Sequence, residues 1–252
     1  MARRLTLRRR DGVRELQTGR VGRGLERLLR SPRKRRALLA LSCVPLNFDR
    51  SHRHQFTQAK GWNIDDHRQP LPAEPPGPPI PVGAWEMARC LMRGYEFADP
   101  SIVRAFYDPD APLEGRNMLL ELRFLGLRFL VGTRVMSVYE ETRTHAGRKA
   151  HVWGWSYATL AGHLEKGEMF WEVHKWLDTG DIEFRIHAYS RRADISNPLT
   201  RWGFRLVGRR EQLRFARTTC ARMRTLTEQA MREGGVDCVR RDAEGVIRRL
   251  TD

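Results

Sequence analysis

Residues 118–135 read MLLELRFLGLRFLVGTRV. Met118, Leu120, Leu122 and Phe124 alternate with Leu119, Glu121 and Arg123, and after Leu125-Gly126 the alternation resumes through Leu127, Phe129, Val131, Thr133 and Val135. A period of two on both sides of a tight glycine turn predicts an antiparallel hairpin with one buried face. Its other face carries Glu121, Arg123, Arg128 and Arg134 and must be wet or covered by something polar.

Downstream, the same period predicts a strand over about 151–160, with Trp153, Trp155, Tyr157 and Thr159 on one side. A fourth strand follows the loop Ala161–Gly167, and a turn at Asp178–Asp181 leads into a fifth over 182–190. With Thr179-Gly180 as a two-residue turn, Leu177 faces Ile182, Lys175 faces Phe184, Val173 faces Ile186 and Trp171 faces Ala188. Ser196-Asn197-Pro198 then has the form of a capped helix start. Leu199, Trp202, Leu206, Leu213, Ala216, Cys220, Met223 and Thr227 make one apolar stripe of a long helix, interrupted by Arg209. Upstream, Trp85, Ala88, Leu91 and Met92 share the face of a short helix ended by Gly94. It follows seven prolines within residues 70–81, an extended strap.

The fold class expected from these elements is α+β: a curved antiparallel sheet gripping a long C-terminal helix, with a basic N-terminal extension. This helix-grip arrangement leaves a cavity between sheet and helix, and Gly132, Gly154 and Ala158 suit its wall. Along the chain, residues 1–46 form an Arg-rich arm, 47–82 an irregular segment with the strap, 83–233 the helix-grip domain and 234–252 a tail.

The chain has 252 residues, 40% hydrophobic and 30% charged, with a mean hydropathy of -0.58, which excludes an integral helical membrane protein. Residues 1–36 hold 14 Lys and Arg against three acids, so +11 of the net +16 sits in the arm. The body is therefore not a basic domain, and a contact with nucleic acid or an anionic membrane would run through residues 1–36. The run Ala37–Leu46 is too short and too heavily preceded by cations for an export signal, and reads as an amphipathic element packing on the body or on a partner. Cys43, Cys90, Cys220 and Cys238 form no CxxC pair, which suggests neither zinc nor a disulfide framework and fits a reduced, cytoplasmic setting. His52, His54 and His67 lie among Asp49, Asp65 and Asp66 without metal-site spacing, so no metal and no cofactor is expected.

The strings YEFADPSIVR (95–104), LEGRNMLL (113–120), YATLAGHLEKGE (157–168), FRIHAYSRR (184–192) and GRREQLRF (208–215) resemble an uncharacterised bacterial and plant domain family. The resemblance covers roughly residues 62–226, and its most specific part is Tyr157–Glu168. This family is grouped with the START-type, plant-allergen-like helix-grip proteins. The resemblance thus implies a hydrophobic ligand cavity, and it implies no catalytic residue.

Within that string, Tyr157 and Thr159 end one strand, His163 and Glu165 occupy the hairpin loop, and Glu168 begins the next strand. An imidazole, two carboxylates and a phenol suit acid/base chemistry, with His163 carrying the proton, Glu165 or Glu168 orienting it and Tyr157 polarising an oxyanion. The competing reading is structural: His163 caps loop carbonyls, and Glu168 pairs with an arginine such as Arg116 or Arg134. Two functions follow. The first is non-enzymatic binding of a small hydrophobic or amphipathic ligand, its polar head near Tyr157, Thr159, His163, Glu168 or Arg209 and its body against Phe124, Phe129, Trp171, Phe184 and Trp202. The second is a cyclase, isomerase or hydrolase-like enzyme using His163, Glu165, Glu168 and Tyr157.

Overall fold

The computed structural model describes residues 32–124, 126–193 and 198–234, and for Phe124 and residues 198–207 the backbone alone. The expected arm over residues 1–31, the cap at Ser196-Asn197, nearly all of the tail, and the side chains of Phe124, Leu199, Trp202 and Leu206 lie outside that description.

Seven strands form one antiparallel sheet in the order β1-β7-β6-β5-β4-β3-β2. They are β1 (Asn63–Leu71), β2 (Val103–Phe106), β3 (Asn117–Phe124), β4 (Leu127–His145), β5 (Arg148–Thr159), β6 (Glu165–Trp176) and β7 (Ile182–Arg192). Helix α1 (Pro32–Ala40) precedes the sheet, α2 (Ala84–Arg93) lies between β1 and β2, and α3 (Pro198–Arg232) follows β7. Strands β2 to β7 meander, while β1 crosses over to pair with β7. A bulge between Val135 and Ser137 breaks the β4–β5 register, and bulges bend sheets. The expected curved sheet with a C-terminal helix is present.

Strand β1 corrects the reading of residues 47–82 as irregular. Its sequence, NIDDHRQPL, has no apolar alternation, and Pro70 cannot donate to a ladder. Both are tolerated because β1 is an edge strand with one neighbour. The β6–β7 register is also corrected. Lys175 faces Ile182, Val173 faces Phe184 and Trp171 faces Ile186, two residues away from the expected pairs. The turn is longer than two residues: Trp176 and Asp181 close it, and Gly180 takes φ +79° and donates to the Trp176 carbonyl. The displacement is even, so every side chain keeps its expected face.

The inner face carries an aromatic core. Trp155, Trp171, Phe184 and Phe97 are almost wholly buried together with Val173, Ile182 and Ile186. Each such side chain contributes about 1.5–3 kcal/mol by leaving water. Helix α2 buries Trp85, Met87, Ala88, Leu91 and Met92 against this core, and α3 adds Phe215, Ala216, Cys220 and Met223. The polar face of the β3–β4 hairpin is covered by α1 and the turn after it. Lys34 pairs with Glu121 at 2.6 Å, and the Arg134 guanidinium donates to the carbonyls of Leu41 and Val44. Gly132 and Gly154 serve this outer cover rather than a cavity wall: a Cβ at 132 would lie 2.6 Å from Leu41 Cδ2, and one at 154 would lie 2.8 Å from Tyr139 Cε2. Ala158 pairs with Glu168 on the same outer face.

The proline strap is locked by a buried ion pair. Lys175 Nζ donates to Glu74 Oε2 at 2.6 Å and to the Pro78 carbonyl at 2.8 Å, while Glu74 also accepts the backbone N–H groups of Ile80 and Trp85. Both charges are thus paired and further hydrogen-bonded, the condition under which such burial is tolerated. Cys43 and Cys220 are free thiols. Cys90 is disulfide-bonded, contrary to the expectation of four reduced cysteines. Among the described residues no helix is long and apolar enough to cross a membrane, and no three His, Cys, Asp or Glu side chains gather as they would around a metal ion.

Candidate functional site

Between the sheet and residues 208–216 of α3 lies a cavity of about 140 Å³, measured as the space open to the centre of a water molecule. Ile102, Leu120, Leu122, Ile186 and Phe215 supply apolar wall, and Glu165, Gln212, Tyr95 and Tyr157 supply polar groups. Most ligand sites have this composition, an apolar hollow with a few placed polar atoms.

The polar end is built by the β5–β6 turn and α3. Gly162 at φ +85° lets the turn close, and His163 N–H donates to the Leu160 carbonyl. The His163 ring then accepts the Glu165 N–H on Nδ1 at 3.0 Å, which leaves its proton on Nε2. Burial pushes His163 down to about 4, so it is neutral at physiological pH. Burial also pushes the Glu165 carboxyl up to about 7, opposed by a hydrogen bond from Gln212 Nε2. Gln212 reaches Ser190 Oγ at 3.2 Å as well, and Arg209 on the same helix holds Asp65 through two 2.5 Å bonds. A polar chain therefore runs from the exposed Arg209–Asp65 pair through Gln212 to Glu165.

Glu168 has a different environment. Its carboxylate lies on the outer face, where it accepts from Arg50 at 2.8 and 2.9 Å, Arg53 at 2.8 Å, Ser156 at 2.7 Å and the Tyr189 hydroxyl. Burial alone would raise its pKa, but Arg50, Ser156 and Tyr189 hold it below the ordinary value. The arginines come from the segment before β1, not from Arg116 or Arg134. Arg116 serves the carbonyls of Arg93 and Ala111, and Arg134 serves α1's turn.

Tyr95 sits immediately after α2. Gly94 caps the helix in ordinary right-handed geometry, and Tyr95 takes the next position at φ +54°, donating to Met92 while Glu96 donates to Leu91. That is a Schellman ending with tyrosine where glycine usually sits, at a cost of roughly 1–2 kcal/mol. Its buried hydroxyl has no hydrogen-bond partner among the described residues. The neighbouring Tyr157 hydroxyl donates only to Met169 Sδ at 3.5 Å, a weak acceptor.

Of the residues singled out in the sequence, Tyr157, His163 and Glu165 meet at the cavity, and Glu168 also borders it, with its carboxylate taken up by Arg50, Arg53, Ser156 and Tyr189. Thr159 lines it too, but its hydroxyl is used by Asn47 at 2.6 Å and by Gly167 N–H at 2.9 Å. Trp171 and Phe184 stack in the core with no exposed surface, Phe129 packs at the core's margin, and Arg209 guards the polar end through Asp65. Tyr95, Gln212 and Phe215 were not singled out. Gln212 lies within one turn of Arg209 and Phe215 within two, both inside the string GRREQLRF (208–215), and Tyr95 opens the string YEFADPSIVR (95–104), so the resemblance marked their neighbourhoods without a role.

The profile of a family described as "Domain of unknown function (DUF1990)" matches residues 50–222. No curated protein matches the sequence. Among solved structures the chain is similar to a norcoclaurine synthase point mutant from Thalictrum flavum in complex with a transition-state analogue, at 8% identity over 67% of this chain and 95% of that one, TM-score 0.42. It is similar to Ara h 8.0201 at 8% identity over 65% and 98%, TM-score 0.37. A third is major latex-like protein 151 from Panax ginseng, at 10% identity over 60% and 94%, TM-score 0.34.

Proposed function

The chain belongs to the family described as "Domain of unknown function (DUF1990)", and within it we propose that this protein binds a small hydrophobic or amphipathic molecule in the hollow between the sheet and α3. The observation that carries this reading is the cavity itself, apolar along β2, β3, β7 and α3 and polar at Glu165 and Gln212. A packed scaffold has no use for a carboxyl in an apolar hollow, since burying it without a full set of partners is costly. Native mass spectrometry of the purified chain, followed by organic extraction, tests the reading. A co-purifying apolar molecule is expected, released when Ala216→Phe fills the cavity. A protein at its bare mass, with a melting temperature unmoved by a panel of apolar compounds, would overturn it.

Glu165 favours a second reading, acid/base catalysis of a cyclase, isomerase or hydrolase type. A carboxyl held near 7 exists in both protonation states at neutral pH, which is what a general acid or base requires. His163 then serves as a fixed neutral imidazole rather than a proton carrier, and Glu168 stays outside the chemistry. On this reading Glu165→Gln removes turnover of a bound compound while leaving its affinity within a few-fold. Turnover surviving Glu165→Gln would leave binding as the function.

A further inference from the structure

Two phenols line the same cavity. Tyr95 and Tyr157 are 5% and 7% exposed, with ring centroids 6.3 Å apart and planes at 55°. Burial raises the pKa of both, and the hydroxyls also act on each other, Tyr157 raising that of Tyr95 and Tyr95 lowering that of Tyr157; still, the contact falls short of a well-formed hydrogen bond, since the Tyr157 hydroxyl turns to a thioether and the Tyr95 hydroxyl makes no well-formed bond among the described residues. Trp155 and Trp171 also leave indole N–H groups unpartnered, but neither lines the cavity, and ring faces surround them. Tyr95 lines the hollow with its hydroxyl buried, and it is held there by left-handed backbone that a tyrosine adopts only at a cost.

An acceptor is what two such donors lack, and the surroundings decide its charge. Both phenols stay protonated across the physiological range, because burial disfavours the phenolate. Arg123 at the lining is tied to Glu121, Arg209 beside it is tied to Asp65, and the Glu165 carboxyl would repel an anion. We propose that Tyr95 and Tyr157 together grip the oxygen of an uncharged carbonyl, so that the ligand class is a small neutral ketone, ester or similar carbonyl compound with an apolar body. This rests on the cavity-binding reading above and adds the recognition group.

The test uses two probes that differ by one atom: acetophenone, and α-methylstyrene, in which CH₂ replaces the carbonyl oxygen. Binding of each to the full chain is measured by ligand-observed NMR, and the carbonyl stretch of bound acetophenone by difference infrared spectroscopy. Acetophenone is expected to bind about tenfold tighter, the value of one or two well-made hydrogen bonds, with its carbonyl band moved to lower wavenumber. Tyr95→Phe and Tyr157→Phe should each erode that preference, and the double variant should abolish preference and band shift together. Unchanged α-methylstyrene affinity shows that the variants keep the cavity, and Tyr157→Phe alone decides the matter if Tyr95→Phe does not fold. Equal affinities in the native chain, or a preference that survives the double variant, would overturn the phenol grip while leaving the cavity reading intact. Binding of neither probe would overturn both.

Discussion

Glu165 and Glu168 stand three residues apart on β6 and face opposite sides of the sheet. The outer carboxylate is enclosed by two arginines, a serine and a tyrosine, and every lone pair is used. The inner one has a single amide partner and a hollow in front of it. Burial acts on both in the same direction, yet Glu168 ends below the ordinary carboxylate range and Glu165 rises to about 7. The difference teaches that the number of partners, more than depth, separates a carboxylate that fastens a structure from one that remains available to a ligand.

Breaking the outer network should give the largest effect. Glu168→Ala strands the Tyr189 and Ser156 hydroxyls and leaves two guanidinium groups without their anion, so a loss of about 3 kcal/mol or more is expected in denaturant unfolding. A loss below about 1 kcal/mol would erase the contrast with Glu165. Tyr189→Phe removes one donor and should lose about 1–2 kcal/mol by the same assay, the remaining partners still holding the carboxylate.

Acidity sharpens the comparison, because the two carboxyls have opposite signs. Glu168, held low, contributes stability that is present above the unfolded carboxylate pKa and is lost as pH falls through its folded value. Glu165, held high, favours the fold fully below 4.5, and that contribution is lost as pH rises through about 7. Native stability measured against Glu165→Gln should therefore decline between about pH 4.5 and 7, while the cost of Glu168→Ala should shrink only in acid. A flat Glu165→Gln difference across that range would show that its carboxyl is solvated like any surface acid. The smallest effect belongs to Arg209→Ala. Its pair with Asp65 is half in solvent, so a change within about 1 kcal/mol is expected, together with weaker ligand retention if the polar chain to Glu165 matters.

The longer strands that carry apolar alternation were legible from residue order alone, and so was the stripe of α3 from Ala216 to Thr227. Strands β1 and β2 were not: β2 is only four residues long, and β1, an edge strand with one neighbour, can be polar and can contain Pro70. The loss of β1 from the reading carried a second loss. Arg50, Arg53 and Asp65 precede or begin β1, so the partners of Glu168 and Arg209 were invisible until that strand was laid beside β7. The string 157–168 marked the right neighbourhood but not its division between two faces, since a glycine-containing turn hides which residues resume the pleat. Tyr95 was hidden for a related reason: a helix that ends in glycine draws the left-handed position to Gly94, and the backbone puts it one residue later.

The strap's buried Lys175–Glu74 pair joins residues 101 positions apart in the chain. Neither charge can enter the interior alone without a large desolvation cost, so β6 cannot finish burying Lys175 until the segment before α2 has arrived. Closure of so long a loop is slow, which makes this a late event on the folding path. Replacing the pair by Glu74→Gln with Lys175→Met should accordingly leave the folding limb of a chevron plot nearly in place and move the unfolding limb, the behaviour of a latch that sets the lifetime of the native state rather than the speed of reaching it.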